Sequence, residues 1–354
     1  MASSKIHSNI IFSQKVADEL EKIVEQFPAG KVFLLTEETP KRLCLPLIEE
    51  LIDRRQIKQI SISGGEPNKS IRSVEQAWEF LSKNGADRKS LLINIGGGML
   101  TDLGGFVAST FKRGMAFVNI PTTLLAQVDA SLGGKTGINF NGLKNEIGVF
   151  NEPDAVIINT SFLKTIDYAN FLSGYAEMLK HGLIKDPEHW DELMGYDLGN
   201  IDYVWLEEII AHSVAVKDWH VQNDLTEKNI RKALNFGHTV GHAFESYALH
   251  SGRAILHGFA VVYGMIVELY LSAKRCGFPQ DQLNEISRWL LGVYGKFEIE
   301  QSDYEALYEL MTHDKKNEGS RINFTLITKI GEVSINEDCP KELIFEALDY
   351  YAKR

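Results

Sequence analysis

Short apolar runs alternate with amphipathic segments over about the first 160 residues, and this alternation most constrains the fold. The runs are brief, rich in β-formers and bounded by glycine, proline or polar residues, as buried strands are. Ser70–Asn84, in contrast, carries apolar residues at helical spacing. Strands separated by helices form βαβ units, so the sequence predicts an α/β domain with a mainly parallel sheet. The predicted strands are Lys31–Thr36, Ile57–Ser63, Leu91–Ile95, Ala116–Ile120 and Ala155–Asn159.

Long helical patterns dominate beyond residue 160, where glycines become fewer. A late pair of β-like runs, Arg321–Thr328 and Gly331–Ile335, predicts a hairpin. We therefore predict two domains, an α/β nucleotide-type domain at 1–160 and a mostly α-helical domain at 161–354, with a cleft between them. The predicted helices are Tyr168–Lys185, Val204–Gln222, Ile230–Leu249, Gly258–Cys276 and Pro279–Tyr294.

Charge and cysteine content exclude several classes of protein. The chain has 37 Lys and Arg against 48 Asp and Glu, a net charge of −11. This argues against binding to nucleic acid or to anionic lipid, since both require a basic surface. Cys44, Cys276 and Cys339 are too far apart for a disulfide framework or a CxxC zinc site. With no secretory h-region or long apolar run, a cytoplasmic protein is expected.

A glycine-rich segment, GGGMLTDLGG at 96–105, follows a predicted strand and opens a predicted helix. Glycines allow backbone N–H groups to approach a phosphate, and a helix N-terminus favours an anion. The segment does not match GxGxxG, so a tight turn without a ligand is the alternative. Glu37, just after the first predicted strand, could accept hydrogen bonds from a ribose.

Residues 121–139, followed by Lys144-Asn145, form a second unusual stretch, which we predict to be rich in loops. It combines small hydroxyl residues, glycines, Asp129 and lysines. This composition suits the close approach of backbone and ammonium groups to an anionic ligand. The alternative for Gly133-Gly134-Lys135 is a surface turn with a solvated lysine.

The helical half contains a candidate metal set. His238 and His242 are four residues apart on one helical face, Glu177 lies on an earlier helix, and His257 precedes a later one. A glutamate and two histidines are a common catalytic zinc set that leaves a position open for substrate. Each single histidine could instead be packed or at the surface. The other ligands that the spacing leaves open are His181 and Asp186.

Several cations lie in or beside these segments. If they gathered in one cleft, they would attract an anionic substrate to an otherwise acidic protein. Individually, each could be a solvated surface residue. They are Arg113, Lys135, Lys144, Lys180, Lys217, Arg231, Lys315 and Lys316.

Taken together, these motifs resemble those of the 3-dehydroquinate synthase family, one of the sugar phosphate cyclases. The resemblance extends from about residue 64 to 330, and its motifs are long, ordered and specific. They are GGGMLTDLGGFVAS (96–109), Lys112-Arg113-Gly114, PTTLLAQVDASLGGKTGIN (121–139), Lys144-Asn145, GYAEMLKHG (174–182), Arg231 with Asn235-Phe236-Gly237-His238 and His242, LHG (256–258) and Asp314-Lys315-Lys316.

The resemblance implies a dehydroquinate synthase-like fold, with an NAD-binding α/β domain, a mostly helical domain and an active site between them. It implies a homodimer and a zinc ion, for which Co²⁺ is a possible substitute. The implied metal ligands are Glu177, His238 and His257, and His242 matches the catalytic histidine. Two places depart from the family pattern: Phe259 stands where an acidic residue is common, two positions after the last zinc histidine, and Thr36-Glu37 stands where asparagine is frequent after the first sheet strand.

The resemblance also implies the residues that contact substrate and cofactor. Arg113 matches a phosphate-binding residue. The substrate set is Lys135, Lys144, Asn145, Lys180, Lys217, Arg231, Asn235 and Lys315 or Lys316. The implied NAD set is Glu66, Lys69, Gly97, Gly98, Asp102, Thr122, Thr123 and Asp129, together with Lys135 and Lys144 from the substrate set; Glu37 joins it as the candidate ribose acceptor named above from its place in the sequence.

The implied reaction converts 3-deoxy-D-arabino-heptulosonate 7-phosphate to 3-dehydroquinate and phosphate, a step of the shikimate pathway. The C5 alcohol is oxidised by NAD, phosphate is eliminated, the hydride returns, and the ring opens and closes by an aldol step. Zinc is expected at the C4 and C5 hydroxyls, and His242 at a proton transfer. The alternatives are a cyclase for glucose 6-phosphate or sedoheptulose 7-phosphate, a glycerol dehydrogenase-type oxidoreductase, and a non-catalytic NAD sensor.

Overall fold

The computed structural model describes residues 7, 9–141, 143–312 and 322–354, and it contains two compact units. The first unit runs to Asp167 and also includes Asp202–Asp218. The second comprises Tyr168–Ile201 and Trp219–Arg354. The domain boundary near residue 160 stays a prediction.

The first unit is built on a six-stranded sheet in which every neighbouring pair of strands is parallel. This confirms the predicted α/β class and all five predicted strands. The sixth strand, β1, is not evident from the sequence, because it is a three-residue edge strand that is only half-buried. Within this sheet the strands lie in the order β1-β8-β5-β4-β2-β3, and β6, β7, β9 and β10 lie outside it. In chain order, the strands are β1 (Ile10–Phe12), β2 (Val32–Glu37), β3 (Lys58–Ile62), β4 (Leu91–Gly96), β5 (Ala116–Pro121), β6 (Lys135–Phe140), β7 (Leu143–Phe150), β8 (Ala155–Ile158), β9 (Phe324–Lys329) and β10 (Glu332–Glu337).

The strand order reverses direction between β2 and β4, which lie side by side in the sheet. From β2 the chain moves outward to β3, whereas from β4 it continues to β5 on the other side. Connections that leave in opposite directions open a crevice at the carboxyl ends of the two strands, where α/β sheets bind ligands. Glu37 ends β2 and Gly97 follows β4, so both border this crevice.

Four of the five long helices predicted beyond residue 160 are confirmed. The predicted bounds of α6 agree with those observed, and those of α8, α10 and α11 differ by at most one residue at either end. None of these helices is long and apolar enough to cross a membrane. The helices are α1 (Val16–Val24), α2 (Glu38–Leu43), α3 (Glu49–Arg55), α4 (Ile71–Lys83), α5 (Gly98–Thr110), α6 (Tyr168–Lys185), α7 (Pro187–Gly195), α8 (Tyr203–Asn223), α9 (His238–His250), α10 (His257–Arg275), α11 (Gln280–Tyr294), α12 (Tyr304–Thr312) and α13 (Lys341–Ala352).

The stretch predicted to be rich in loops instead contains the antiparallel hairpin β6–β7, preceded by a π-helical turn at Ala126–Ala130. Gly137 pairs with Gly148, and a Cβ on Gly137 would lie 2.7 Å from the Ile147 carbonyl oxygen. The prediction was wrong because β7 is exposed along its whole length. Without a buried face, a strand lacks the apolar alternation that reveals it in sequence.

The helix predicted at Ile230–Leu249 is confirmed from His238 onward and wrong before it, because the chain breaks at Gly237. A 3₁₀ turn covers Ile230–Asn235, Gly237 adopts a φ of +78°, and α9 starts at His238. A positive φ favours glycine, since a Cβ would clash with the backbone. The late hairpin is confirmed as β9–β10, although the predicted first residue, Arg321, lies outside the described residues.

Glycines bring α6, α9 and α10 into backbone contact in the second unit. A Cβ on Gly258 of α10 would lie 2.0 Å from the carbonyl oxygen of Ser173 in α6. A Cβ on Gly264 would lie 2.0 Å from the carbonyl oxygen of Gly237 and 2.6 Å from the amide nitrogen of Gly241. Separations this short exclude any side chain, so α10 packs directly on its two neighbours.

We predict that Gly264→Ala destabilises the protein by about 1–3 kcal/mol or more, because α9 and α10 must move apart to admit the methyl group. Gly292→Ala in α11 is the matched control, since a Cβ there meets nothing within 4 Å. It should stabilise by about 0.5–1 kcal/mol through helix propensity. Urea unfolding of both variants measures the difference, and equal effects of the two substitutions would contradict the packing argument.

Candidate metal centre and cofactor site

Three residues from three helices of the second unit converge on one point. Glu177 lies in the middle of α6, whereas His238 and His257 are the first residues of α9 and α10. The Nε2 atoms of both histidines lie 3.5 Å from Oε1 of Glu177. One ligand atom from each of the three residues lies within 4.8 Å of the other two. The backbone contacts of α10 with α6 and α9 produce this convergence.

The chemistry of the three residues fits a divalent cation. Oε1 of Glu177 is buried and accepts no hydrogen bond from any described residue, so its lone pairs are available to a cation. Its partner oxygen, Oε2, accepts a hydrogen bond from the ammonium group of Lys180, which is equally buried. A carboxylate oxygen and two imidazole nitrogens form a site for a zinc-type ion.

The surroundings of the cluster shift the pKa values of its two histidines in opposite directions. Burial, the largest influence, and the Lys180 ammonium lower the pKa of His238 to about 4. Burial also acts to lower the pKa of His257, but the Glu245 and Glu177 carboxylates outweigh it and raise that pKa to about 10. At Glu177, burial alone would raise the pKa, yet Lys180 and the histidines hold it well below its usual range. Near neutral pH, His238 is therefore neutral and can donate a ring-nitrogen lone pair to a metal ion, whereas a metal ion at His257 must displace a proton.

A buried carboxylate fixes the start of the helix that carries His238. Glu268 of α10 is fully buried, and its carboxylate accepts hydrogen bonds from the backbone N–H groups of Gly237, at 2.6 Å, and Val240, at 3.1 Å. A negative charge at a helix N-terminus satisfies orphan donors and complements the helix dipole. Glu268 thereby fixes the start of α9, the helix that carries both His238 and His242.

The remaining candidates of the helical half have distinct positions. The ring of His242 lies 5.4 Å from that of His238 and 5.9 Å from that of His257, beside the metal ligands. Asp186, left open as a ligand, caps α7 by accepting from Glu188 N at 3.0 Å and His189 N at 3.2 Å. His181 is buried in α6, one turn after Glu177.

The predicted substrate residues of the second unit include a fully buried arginine. Arg231 donates from Nη1 to the Leu225 carbonyl oxygen at 2.9 Å and from its backbone N–H to the Asp224 carboxylate at 3.2 Å. Asn235 donates to Glu227 at 2.8 Å. Lys315 and Lys316 lie outside the described residues.

In the first unit, several predicted NAD residues meet at the carboxyl ends of the strands. The buried Lys69 ammonium lies 2.5 Å from the Asp102 carboxylate and also donates to the side chain of Asn145. Burial raises the pKa of Asp102, although Lys69 opposes the shift. Glu66 accepts a hydrogen bond from the side-chain amide of Asn139 at 2.8 Å. These contacts tie the segment before α4 to α5 and to the hairpin.

The start of α5 fits the pyrophosphate of a dinucleotide. Gly97 is the N-cap residue of the helix and offers no side chain to its first N–H groups. A Cβ on Gly98 would lie 2.8 Å from Cβ of Ala130, and one on Gly97 would lie 3.3 Å from Cγ2 of Thr123. Thr122 is buried and donates its N–H to the Gly96 carbonyl oxygen at 2.9 Å.

Glu37 borders the same crevice from the end of β2. Burial raises the pKa of its carboxyl group. A Cβ on Gly64 would lie 3.5 Å from Cδ of Glu37, so the loop after β3 packs against that carboxyl group. A carboxylate at this strand end is placed as the ribose acceptor of doubly wound folds is.

The other predicted cations of this unit are dispersed. Lys217 is buried and pairs with Asp129, which lies in the π-helical turn. Lys135 and Lys144 are exposed on β6 and β7. Arg113 follows the far end of α5, roughly 20 Å along the helix from its glycine-rich start. Arg113 therefore lies at the opposite end of α5 from the glycine-rich segment that carries Asp102.

Three residues that support the two sites were not predicted from the sequence: Asn139, Glu245 and Glu268. Glu245 had a usable signal, because it follows His238 by seven residues and His242 by three and so shares their helical face. Glu268 had none, since in sequence it is a single acid at the end of an apolar run.

Comparison with solved structures identifies the fold class. The 2-epi-5-epi-valiolone synthase ValA of Streptomyces hygroscopicus superposes with a TM-score of 0.85 at 23% identity, covering 99% of this chain and 98% of its own. A 2-deoxy-scyllo-inosose synthase superposes with a TM-score of 0.83 at 22% identity, covering 97% and 96%. The chain has the fold of the sugar phosphate cyclases.

Sequence comparison identifies the family within this class. The model of the 3-dehydroquinate synthase N-terminal domain matches residues 59–173, and that of the C-terminal domain matches 174–317. A 3-dehydroquinate synthase of Parabacteroides distasonis is 48% identical over 342 residues, 97% of each chain. The chain belongs to the 3-dehydroquinate synthase family.

We predict that His257→Ala folds but no longer retains zinc, because the cluster loses one of its three donors. Metal content after purification, measured by inductively coupled plasma mass spectrometry, and far-UV circular dichroism test this. His250→Ala, an exposed histidine at the end of α9, is the control and should keep its metal. A His257→Ala protein with a full complement of zinc would contradict the ligand assignment.

Proposed function

We propose that this protein is a 3-dehydroquinate synthase, which converts 3-deoxy-D-arabino-heptulosonate 7-phosphate to 3-dehydroquinate and inorganic phosphate. The observation that carries the proposal is the 48% identity to a 3-dehydroquinate synthase over 97% of both chains. The reaction breaks a C–O bond to phosphate, forms a C–C bond, and leaves no net oxidation. The enzyme is therefore a phosphorus–oxygen lyase of the shikimate pathway, which leads to chorismate and the aromatic amino acids.

The cofactors proposed are NAD and a divalent metal, zinc or cobalt. The two cyclase structures contain NAD⁺ with Zn²⁺ and NAD⁺ with Co²⁺, respectively. When bound, NAD⁺ supplies reversible oxidation of a substrate alcohol, and the metal supplies Lewis acidity at neighbouring oxygens. We assign the metal to Glu177, His238 and His257, and the pyrophosphate of NAD to the start of α5 at Gly97 and Gly98.

The residues of the second unit bind and orient the substrate in this proposal. The substrate carries a carboxylate and a phosphate monoester, roughly three negative charges at neutral pH. Lys180 and Arg231 are buried cations of this set; salt screens charges in such positions poorly, and Lys180 is already paired with Glu177. His242 lies beside the metal ligands and is the candidate for proton transfer at the C5 hydroxyl, since imidazole titrates near neutral pH.

The residues of the first unit bind the cofactor. Lys69 and Asp102 are held together by their buried ion pair, which sets the position of Asp102 on α5. Glu37, Glu66, Thr122, Thr123 and Asp129 complete the proposed NAD set, with Lys135 and Lys144 on the hairpin. Lys217, Asn145, Asn235, Arg113, Lys315 and Lys316 complete the proposed substrate set.

The alternatives are less well supported. The cyclases for other sugars share only 22–23% identity with this chain, a level that establishes the fold and leaves the substrate open. An iron-containing alcohol dehydrogenase is more distant, at 16% identity and a TM-score of 0.68. A non-catalytic NAD sensor would have no need of a glutamate and two histidines converging within 4.8 Å.

We also propose a cytoplasmic homodimer. Support comes from the β6–β7 hairpin, on which Phe140, Leu143, Ile147 and Val149 are exposed. A cluster of exposed apolar side chains on one element marks a protein contact surface. Because a symmetric dimer buries the same patch on both copies, one hairpin surface suffices.

The decisive experiment is a panel of three sugar phosphates incubated with NAD⁺ and Zn²⁺. We expect phosphate release from the heptulosonate phosphate, with no net NADH, because the hydride returns to the substrate within each turnover. Glucose 6-phosphate and sedoheptulose 7-phosphate should release little phosphate. Steady growth of absorbance at the NADH wavelength would instead identify a dehydrogenase, and preference for another sugar phosphate would identify a different cyclase.

The dimer proposal predicts that Ile147→Lys, a charge in the centre of the exposed hairpin strand, dissociates the protein. Light scattering coupled to size exclusion should show about twice 39.8 kDa for the native chain and about 39.8 kDa for the variant at micromolar concentration. Leu47→Lys is the control, because Leu47 is exposed to a similar extent elsewhere on the first unit. A variant that remains dimeric would exclude the hairpin as the interface.

A further inference from the structure

We propose that Glu245 is the positioning residue of the metal centre, whose carboxylate accepts the Nδ1 proton of His257 and so directs Nε2 toward the metal. The proposal rests on the proposed function insofar as it takes the cluster to be a metal site. It goes further by assigning a role to a residue outside the ligand, substrate and cofactor sets.

The two nitrogen atoms of the His257 ring face different carboxylates. Nε2 faces Oε1 of Glu177 at 3.5 Å, whereas Nδ1 faces Oε2 of Glu245 at 3.4 Å. A neutral imidazole that donates its Nε2 lone pair to a metal must carry its proton on Nδ1. That proton needs an acceptor on the far side of the ring, and Glu245 provides one.

The other histidine ligand, His238, has a backbone acceptor for its Nδ1 proton. Nδ1 of His238 lies 3.1 Å from the carbonyl oxygen of Phe236, two residues earlier in the chain. This acceptor belongs to the backbone, so its position follows from the turn at Gly237 and no substitution removes it. His257 depends on a side chain instead, and its orientation can therefore be tested by mutation.

Glu245 is placed to act on α10 from α9. Two helical turns separate it from His238, and His257 begins the next helix after the turn between them. The Glu245 side chain is only 12% exposed and that of His257 27%, so water competes weakly for the interaction. A hydrogen bond to a charged acceptor in such surroundings is roughly twice as strong as one between neutral groups.

Phe259 strengthens the case for Glu245. This position follows His257 by two residues, on the first turn of α10, and here it carries no charge. The Phe259 ring instead packs edge-on against Tyr294, with centroids 5.2 Å apart. An acceptor for His257 must therefore come from elsewhere, and Glu245 of α9 lies within reach of its ring.

Removal of the acceptor should weaken metal binding without unfolding the protein. Outer-shell partners of ligating histidines typically contribute 10–100-fold to metal affinity. We expect Glu245→Ala to bind Zn²⁺ about 10–100-fold more weakly. Glu245→Gln keeps an acceptor oxygen of the same reach, so it should recover most of the affinity.

The experiment is a Zn²⁺ titration of the zinc-free full-length protein against a chromophoric chelator, without NAD or substrate. Glu298→Ala, an exposed glutamate of the same unit, is the control and should match the native chain. Thermal unfolding of the zinc-free variants separates metal affinity from stability, and all should unfold at nearly the native temperature.

Absorption of the Co²⁺-substituted protein gives a second readout, since the d–d bands report the geometry of the ligands. We expect these bands to shift in Glu245→Ala and to return toward the native positions in Glu245→Gln. Native zinc affinity and an unchanged Co²⁺ spectrum in Glu245→Ala would overturn the proposal. Because no step uses substrate, this result is independent of which sugar phosphate the enzyme converts.

Discussion

The metal centre depends on three helices whose backbones touch. Gly258 and Gly264 let α10 rest directly on α6 and α9, at separations that leave no space for a methyl group. Side chains are normally the spacers between helices, and interaxial distances of 8–10 Å reflect them. When glycines remove the spacer, residues near the crossing points are brought within ligand distance of one another. His257 is the residue before Gly258, and His238 the residue after Gly237, so the crossings and the ligands coincide in sequence.

Buried charge is compensated group by group in this protein. Glu177 is balanced by Lys180, Lys69 by Asp102, and the carboxylate of Glu268 by two backbone N–H groups. An unpaired charge in such positions would cost several kcal/mol. The pairs therefore keep ionised groups inside the protein at modest cost, and they do so beside the proposed metal and cofactor positions.

How much could be predicted from the sequence depended on whether an element is buried. The buried strands of the parallel sheet and α6 were predicted well, because burial requires apolar residues that stand out in the sequence. The β6–β7 hairpin and the break at Gly237 were not, since the first is exposed along β7 and the second depends on one backbone angle. Motifs identified the candidate ligands, but Glu245 and Glu268 act through contacts between helices that no local pattern records.

The capping of α9 by Glu268 links two places in the chain that are about thirty residues apart. A relative with a small apolar residue at the position of Glu268 would leave two buried N–H groups unsatisfied, at a cost of about 1–3 kcal/mol for each. Such a relative must supply another acceptor or reshape the turn before His238. Among members of the family, the residue at this point of α10 and the turn around Gly237 should therefore change together, as a pair that evolution alters in concert.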